Sequence, residues 1–425
     1  MNNILKKELS SIGFLDTSFI DEARREAKAI KIEKSAWAKN TGFANEVLYK
    51  KVNAGRGHFM YHAHFCFRDW KQFEKDTEKL EGLLEKEHLI LDRFGVSIDP
   101  SMALPQRLRK DKAAHTALYF KDQKDWNRLA SKKFSQVHLG DNMIGSPASF
   151  DSCVHALKAG ITTMGNISQF FGWDYEQFQD IQARAKGTIQ AIAVMAEHKE
   201  DGALIHSNLD DGYGSNTKYI RELIGMAILE KYIVCDLLGA RLAPSFGDDF
   251  HSPYKRMIML SALNQLYHGN LTGSMLFTNK LGRDKNCISL NDAHLAECLL
   301  FDMVGQAHYR NGYAITVMAD EGLSETVKPE EIVHKLALAK KLEDYIPEAA
   351  KLIDFDRIDE TAADIVKEAE IFATTVLDAF SSYIDIHDPL AVMLGIKKTG
   401  IITLMSEFGM KNHEEISTDF NLFEH

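Results

Sequence analysis

The sequence predicts an α/β fold, a (β/α)8 TIM-type barrel with an N-terminal helical segment and a helical C-terminal extension. Three observations carry that prediction. Short strand-like runs alternate with longer segments of helical spacing, the runs number eight, and they have the apolar, β-branched character of strands buried on both faces. No Pro/Gly/Ser-rich linker divides the chain, which holds 8 prolines in 425 residues, so the alternation reads as one continuous architecture.

Taken in order, residues 1–55 form the N-terminal helical segment, 56–325 the barrel and 326–425 the extension. The predicted strands are 57–67 (GHFMYHAHFCF), 87–99 (EHLILDRFGVSID), 135–141 (SQVHLGD) and 160–168 (GITTMGNIS). They continue with 202–210 (GALIHSNLD), 240–248 (ARLAPSFGD), 273–279 (GSMLFTN) and 312–320 (GYAITVMAD). Between them, 175–199 spaces its apolar residues three and four apart, as an amphipathic helix does. The 217–239 segment is more apolar and stops on Gly239, and 289–312 opens on a capping serine and ends on glycine. Beyond about residue 325 the strands cease, and two long helical patterns lead to the acidic tail NHEEISTDFNLFEH, read as solvated in preference to partner-contacting.

Composition narrows the function classes. A formal net charge of −11, with no run of Lys or Arg, argues against nucleic acid as a partner. The five cysteines are scattered and form no CxxC, so neither a disulfide scaffold nor a zinc knot is expected. The N-terminus lacks the apolar core of a signal peptide, and no window has the length to cross a bilayer. A cytoplasmic protein without membrane contact is the expectation. There is no GxxxxGK[ST], GxGxxG or GxSxG, so nucleotide binding and a covalent acyl enzyme have no support.

The strand ends share a direction, apolar first and then His, Asp, Asn or Ser. His138 and Asp141 close one strand, Asn166 and Gln169 the next, and His206, Asn208 and Asp210 the fifth. Ser245, with Asp248 and Asp249, closes the sixth, Asn279 with Thr278 the seventh, and Asp320 the eighth. Polar residues at several carboxyl ends are the pattern of a pocket on a barrel's catalytic face. On the fifth strand, a period of two places His206, Asn208 and Asp210 on one face, with Gly212 and Gly214 turning the chain beyond them.

Two further features bear on chemistry. His62-x-His64 puts two imidazoles on one face of a strand, as a metal pair, a substrate-binding pair or an alternating polar strand. A metal centre built on them would draw further ligands from His138, His206 or Asp320. Arg93 stands between Asp92 and Phe94 in an apolar strand. It is either a bidentate clamp for a substrate carboxylate or the partner of Asp92 or Asp99 in an internal ion pair. Arg68, Arg107, Arg109 and Arg241 are weaker versions of the same possibility.

The segments SPASFDSCVHALKAGITTMGNISQFF and GYAITVMADEGLSETVKPEEIVHKLALAKK, in their order within residues 85–345, resemble the barrel subunit of adenosylcobalamin-dependent glutamate mutase (methylaspartate mutase). The likeness is one of layout and short phrases over about half the chain. It implies a substrate-binding barrel in a carbon-skeleton mutase, a radical isomerase acting on a small carboxylate or amino acid. Cobalamin-binding domains of this class carry DxHxxG. Here DAHLAE (292–297) and DIHDPL (385–390) lack the glycine and read as a helix surface and a loop. The resemblance therefore places adenosylcobalamin on a separate small subunit and makes the active enzyme a hetero-oligomer.

That family's strand-end arginine cluster is not reproduced, and only Arg93, Arg68 or Arg241 are counterparts. Radical chemistry belongs to the cofactor, so the barrel's task is to exclude water and hold substrate. His138 or His206 would serve as proton donor or anchor, oriented by Asp141 or Asp210. His62, His64, Arg93, Asn166, Gln169, Asn208, Ser245 and Asn279 would line the substrate. The competing readings are a metal-dependent barrel hydrolase or lyase using His62 and His64, and a barrel without catalysis that serves in assembly.

Overall fold

A computed structural model of the chain describes residues 3–13, 15–109, 116–217, 219–247, 252–267, 273–278, 288–317 and 327–409. It is a mixed α/β structure in which each of eight strands lies inside its predicted stretch and is shorter than it. They are β1 (Met60–Phe65), β2 (Arg93–Val96), β3 (Gln136–His138), β4 (Thr163–Met164), β5 (Leu204–Asn208), β6 (Leu242–Ser245), β7 (Met275–Leu276) and β8 (Ala314–Thr316). At least one helix follows every strand, among them Trp70–Glu87, Ser149–Lys158, Ile181–Glu197, Pro253–Leu266 and Pro329–Leu342.

All strand pairs are parallel. One sheet runs β3-β2-β1-β8-β7 and the other β4-β5-β6. A single parallel bridge, Leu139 to Met164, joins the end of β3 to β4, and another, Phe246 to Leu276, joins the end of β6 to β7. The helices supply the outer apolar layer: Phe73, Leu80 and Leu84 of the Trp70–Glu87 helix are buried, as are ten residues of Ile181–Glu197.

The Glu46–Gly55 helix precedes β1, and its side chains enter the space bounded by the strand starts. Lys50 Nζ donates to the carbonyls of Gly273 (2.8 Å) and Ser274 (3.1 Å), just before β7. Asn45 caps this helix by accepting from the Leu48 N–H. The long Phe355–Ser381 helix of the extension packs on Ile220–Lys231 and Pro253–Leu266. Gly225 makes that approach possible, because a Cβ there would meet Phe372 Cδ1 at 2.5 Å. Asp359 accepts from Ser261 and Tyr309 and ties the same face. The extension is thus joined to the strand-bearing region through a shared core.

Three sequence expectations change. The predicted 217–239 helix is α-helical over Ile220–Lys231 and then widens to a π-helix over Tyr232–Leu237. The β5 strand stops at Asn208 and the chain turns directly into the helix Leu209–Tyr213, so Asp210 does not continue the strand's alternation. Gly212 and Gly214, expected to turn the chain in a loop, lie in short helical turns. Gly212 is needed for contact, since a Cβ would sit 2.3 Å from Ser168 Cβ.

No single described helix is long and apolar enough to cross a membrane. The pair Pro389–Thr399 and Ile401–Phe408 reaches that length and composition together, bent by 85° at the break.

Candidate functional site

Alternation along β1 turns Tyr61, Ala63 and Phe65 to the helices and Met60 and His62 to the interior. Tyr61 Oη donates outward to Glu343 at 2.5 Å, while the His62 ring lies 6.1 Å from His138 of β3. His138 in turn lies 5.0 Å from His206 of β5, and His206 lies 6.1 Å from Phe277. Imidazoles from both sheets therefore meet in one layer. Two glycines make the room: a Cβ on Gly95 would stand 2.4 Å from His64 Nδ1 and 3.0 Å from His62 Cε1. One on Gly165 would stand 2.3 Å from His206 Cδ2.

Below this layer lies a buried charge cluster. Arg93 Nε is 3.4 Å from Glu46 Oε1, and Lys50 Nζ is 3.5 Å from the same oxygen; none of the three side chains exceeds 2% exposure. Glu46 Oε2 also accepts from Thr163 Oγ1 (2.8 Å). The Arg93 guanidinium donates to the Ser274 carbonyl (3.0 Å) and hydroxyl (3.2 Å), and through its other nitrogen to His138 Nδ1.

This corrects two expectations for Arg93. Its ion-pair partner is Glu46 of the N-terminal segment and neither neighbouring aspartate: Asp92 accepts from Tyr49 Oη and the Tyr61 N–H, and Asp99 accepts from Ser101. It also sits at the start of β2, in register with His62 and Gln136, with both Nη groups hydrogen-bonded inside the protein and Nε facing Glu46. A carboxylate clamp at the carboxyl end of the strands is not its place.

Electrostatics leaves the imidazoles uncharged. Burial, followed by the Arg93 charge, holds His62, His138 and His206 well below the ordinary histidine range. Burial alone lowers His64 to about 4. Lys50 falls to about 7, by burial first and then the Arg93 charge, with Glu46 pulling the other way. Among the described residues, both His62 nitrogens, His138 Nε2 and Thr316 Oγ1 are buried without a hydrogen-bond partner. Each such atom costs roughly 1–3 kcal/mol if left unsatisfied.

The expected carboxylate–imidazole pairings are not formed. His138 is held by Arg93, and His206 Nδ1 by the hydroxyls of Ser245 (2.8 Å) and Ser274 (2.9 Å). Asp210 accepts instead from the Gly247 N–H at 2.8 Å, in the field of Arg256.

Asn166 Oδ1 accepts from the Asn208 N–H (2.8 Å) and Ser168 Oγ (2.7 Å), which fixes the end of β5. Gln169 Oε1 accepts from the Asn142 N–H (3.0 Å), and its buried Nε2 has no partner among the described residues. His64 reaches Ser97 Oγ (2.8 Å), beyond the end of β2.

Just past β3, Asp141 keeps open surface yet is closely surrounded by protein. Loss of hydration, and then the charge of Asp211, raise it to about 7, with Asn166 opposing. A carboxyl at that value exchanges a proton near neutrality.

The structure thus brings together His62, His138, His206 and Ser245, with Arg93 beneath and Asp141, Asn166, Gln169 and Asn208 toward the strand ends. Asn279, Asp248, Asp249 and Asp320 lie outside the described residues. Arg241 bonds Lys199 and Glu200 at the surface, and Arg109 donates to the Leu104 carbonyl, both away from this site.

Sequence reasoning missed Glu46, Lys50, Ser274 and Thr316. The only available signal was the Glu46–Lys50 spacing of four, which is indistinguishable from a solvent-facing helix pair. Among the described residues, no three His, Cys, Asp or Glu side chains converge as metal ligands. No protein-family model matches the chain and no curated protein matches it.

Proposed function

We propose that the two sheets are parts of one closed (β/α)8 barrel, and that the chain is the substrate-binding subunit of a cobalamin-dependent carbon-skeleton mutase acting on a small carboxylate. The parallel bridges at Leu139–Met164 and Phe246–Leu276 support the closure, since they fall at the two gaps between the sheets. The single observation that carries a ligand site is the group of unpartnered buried polar atoms on His62, His138 and Thr316. Such atoms persist where something else completes them.

In this reading, adenosylcobalamin on a partner subunit supplies the radical chemistry. Both candidate cobalt-binding phrases of this chain are accounted for otherwise. Residues 292–297 lie in the helix Ile288–Tyr309, where Asp292 pairs with Lys335, and exposed His387 precedes the helix Pro389–Thr399. The chain's own residues bind and shield. Neutral imidazoles offer N–H donors without strong nucleophiles, Arg93 and Lys50 set a positive field beneath them, and Asp141 holds a proton near the strand ends.

A metal-dependent hydrolase using His62 and His64 is the second reading. It is the weaker one, because the two rings are 6.4 Å apart and no third described side chain converges on them.

The test is to mix the purified chain with adenosylcobalamin alone and with a small DxHxxG cobalamin-binding protein loaded with it. The mutase reading expects association only with the loaded partner, and an organic radical signal only when a small carboxylate is added. Failure to associate would overturn it. Stoichiometric zinc, iron or manganese lost in a His62→Ala/His64→Ala variant would establish the hydrolase instead.

A further inference from the structure

We propose that His62, His138 and Thr316 form a carboxylate-recognition site inside the protein, in which Arg93 and Glu46 fix His138 as an Nε2–H donor. The inference rests on the substrate-binding reading above and says which group of the substrate enters, and how.

The tautomer follows from the chemistry of the neighbours. A guanidinium has N–H donors and no acceptor, and it meets His138 at Nδ1. Nδ1 must therefore accept, so the proton of a neutral His138 lies on Nε2. Burial and the adjacent cation keep the ring neutral. That Nε2–H is buried and donates to nothing among the described residues.

Arg93 does not choose its position freely. Glu46 lies 3.4 Å from its Nε and the Ser274 carbonyl 3.0 Å from Nη1, so the guanidinium is held from both sides. Arg93 and Glu46 are positioning residues, and His138 is the contact.

The acceptor is identified by what surrounds it. His62, 6.1 Å from His138 between ring centres, has both nitrogens unpartnered among the described residues, and one carries a proton in the neutral ring. Thr316, in register with His62 across β1 and β8, adds a hydroxyl whose oxygen is also unpartnered among the described residues. Three donors thus lie on strands of one sheet, with His62 next to both His138 and Thr316.

The charge beneath is Arg93 and a partly protonated Lys50, lowered to about 7, against the single carboxylate of Glu46. A planar group with two acceptor oxygens and one negative charge, a carboxylate, satisfies both the donors and that imbalance. A neutral carbonyl would satisfy the donors alone.

The experiment is long-range 1H–15N correlation on the full chain labelled with 15N-histidine, using His138→Gln and His62→Gln to assign the two rings. The predicted spectrum shows His138 neutral at pH 7 with its proton on Nε2. Sodium acetate at constant ionic strength moves both rings to saturation. Acetamide binds at least about tenfold more weakly, because it lacks the charge.

A proton on Nδ1, no response to acetate, or equal responses to acetate and sodium chloride would overturn the site. Equal affinity for acetamide would overturn the carboxylate assignment. Arg93→Lys is expected to populate both tautomers; an unchanged Nε2–H form and acetate affinity would remove Arg93 from its positioning role. None of these readouts involves cobalamin, so the carboxylate site and the mutase reading fail separately.

Discussion

Two buried polar clusters in this protein are built to opposite rules. Arg256 and Asp302 meet between the helices Pro253–Leu266 and Ile288–Tyr309. They form a bidentate pair, with Nε to Oδ1 at 2.8 Å and Nη2 to Oδ2 at 2.5 Å, and Arg256 Nη1 reaches the Gly247 carbonyl at 3.2 Å. Every one of those donors has an acceptor. The imidazole layer a short way along the same core leaves His62, His138 and Thr316 with bare polar atoms, although they are as deeply buried. A satisfied cluster is a complete structural device, whereas an unsatisfied one of the same depth costs stability for as long as nothing binds there. Burial and polarity alone do not separate structure from site.

The sharpest way to break that comparison is to damage the satisfied cluster. Arg256→Met leaves the Asp302 carboxylate buried without its cation, and the expected loss is about 3–5 kcal/mol in a denaturant titration. If the loss stays near that of an exposed pair, well under 1 kcal/mol, the bidentate cluster is not the structural element described here. A smaller effect is expected from Gly95→Ala. The new Cβ, 2.4 Å from His64 Nδ1 and 3.0 Å from His62 Cε1, overpacks the imidazole layer. The expected cost is about 1–3 kcal/mol, accompanied by loss of carboxylate binding. An alanine variant with unchanged binding would show that the glycine is not what spaces those rings.

The smallest effect concerns Asp141. Its carboxyl is raised to about 7 in the folded protein, against an ordinary value of 3.8. The stability contributed by this group is therefore fully present below about pH 4 and lost as pH rises through about 7. Asp141→Asn removes that penalty. Its melting temperature is expected to exceed the wild type by about 1–3 °C at pH 8, with the difference vanishing toward pH 4. A gain that is the same at both pH values would mean that ionisation is not its cause.

The strands were the legible part of the sequence. Each observed strand lies within a predicted run, because a β-branched apolar stretch followed by polar residues marks a parallel strand wherever it lies. What sequence could not supply was partnership. Glu46 and Lys50 look like an ordinary helix-surface pair, and only the placement of the Glu46–Gly55 helix against the strand starts makes Glu46 the shared partner of Lys50 and Arg93. Asp210 was assigned to a strand face by a period of two that ends at Asn208, where the chain turns straight into a helix. His138 and His206 were singled out as strand-end proton donors or anchors, and the structure buries both rings in the interior. Their hydrogen-bond partners, a guanidinium and two serine hydroxyls, come from elements far away in sequence, and no local pattern announces them.

The central claim, that the unpartnered imidazole layer is a binding site and not a packing defect, is tested most directly by calorimetric melting of the wild type and His138→Gln in a series of small mono- and dicarboxylates at constant ionic strength. A ligand that binds only the folded state raises its melting temperature with concentration. The account predicts a saturable rise for the wild type with at least one monocarboxylate, and none for a folded His138→Gln variant. Equal rises in the two proteins, or none in the wild type across the whole series, would contradict it.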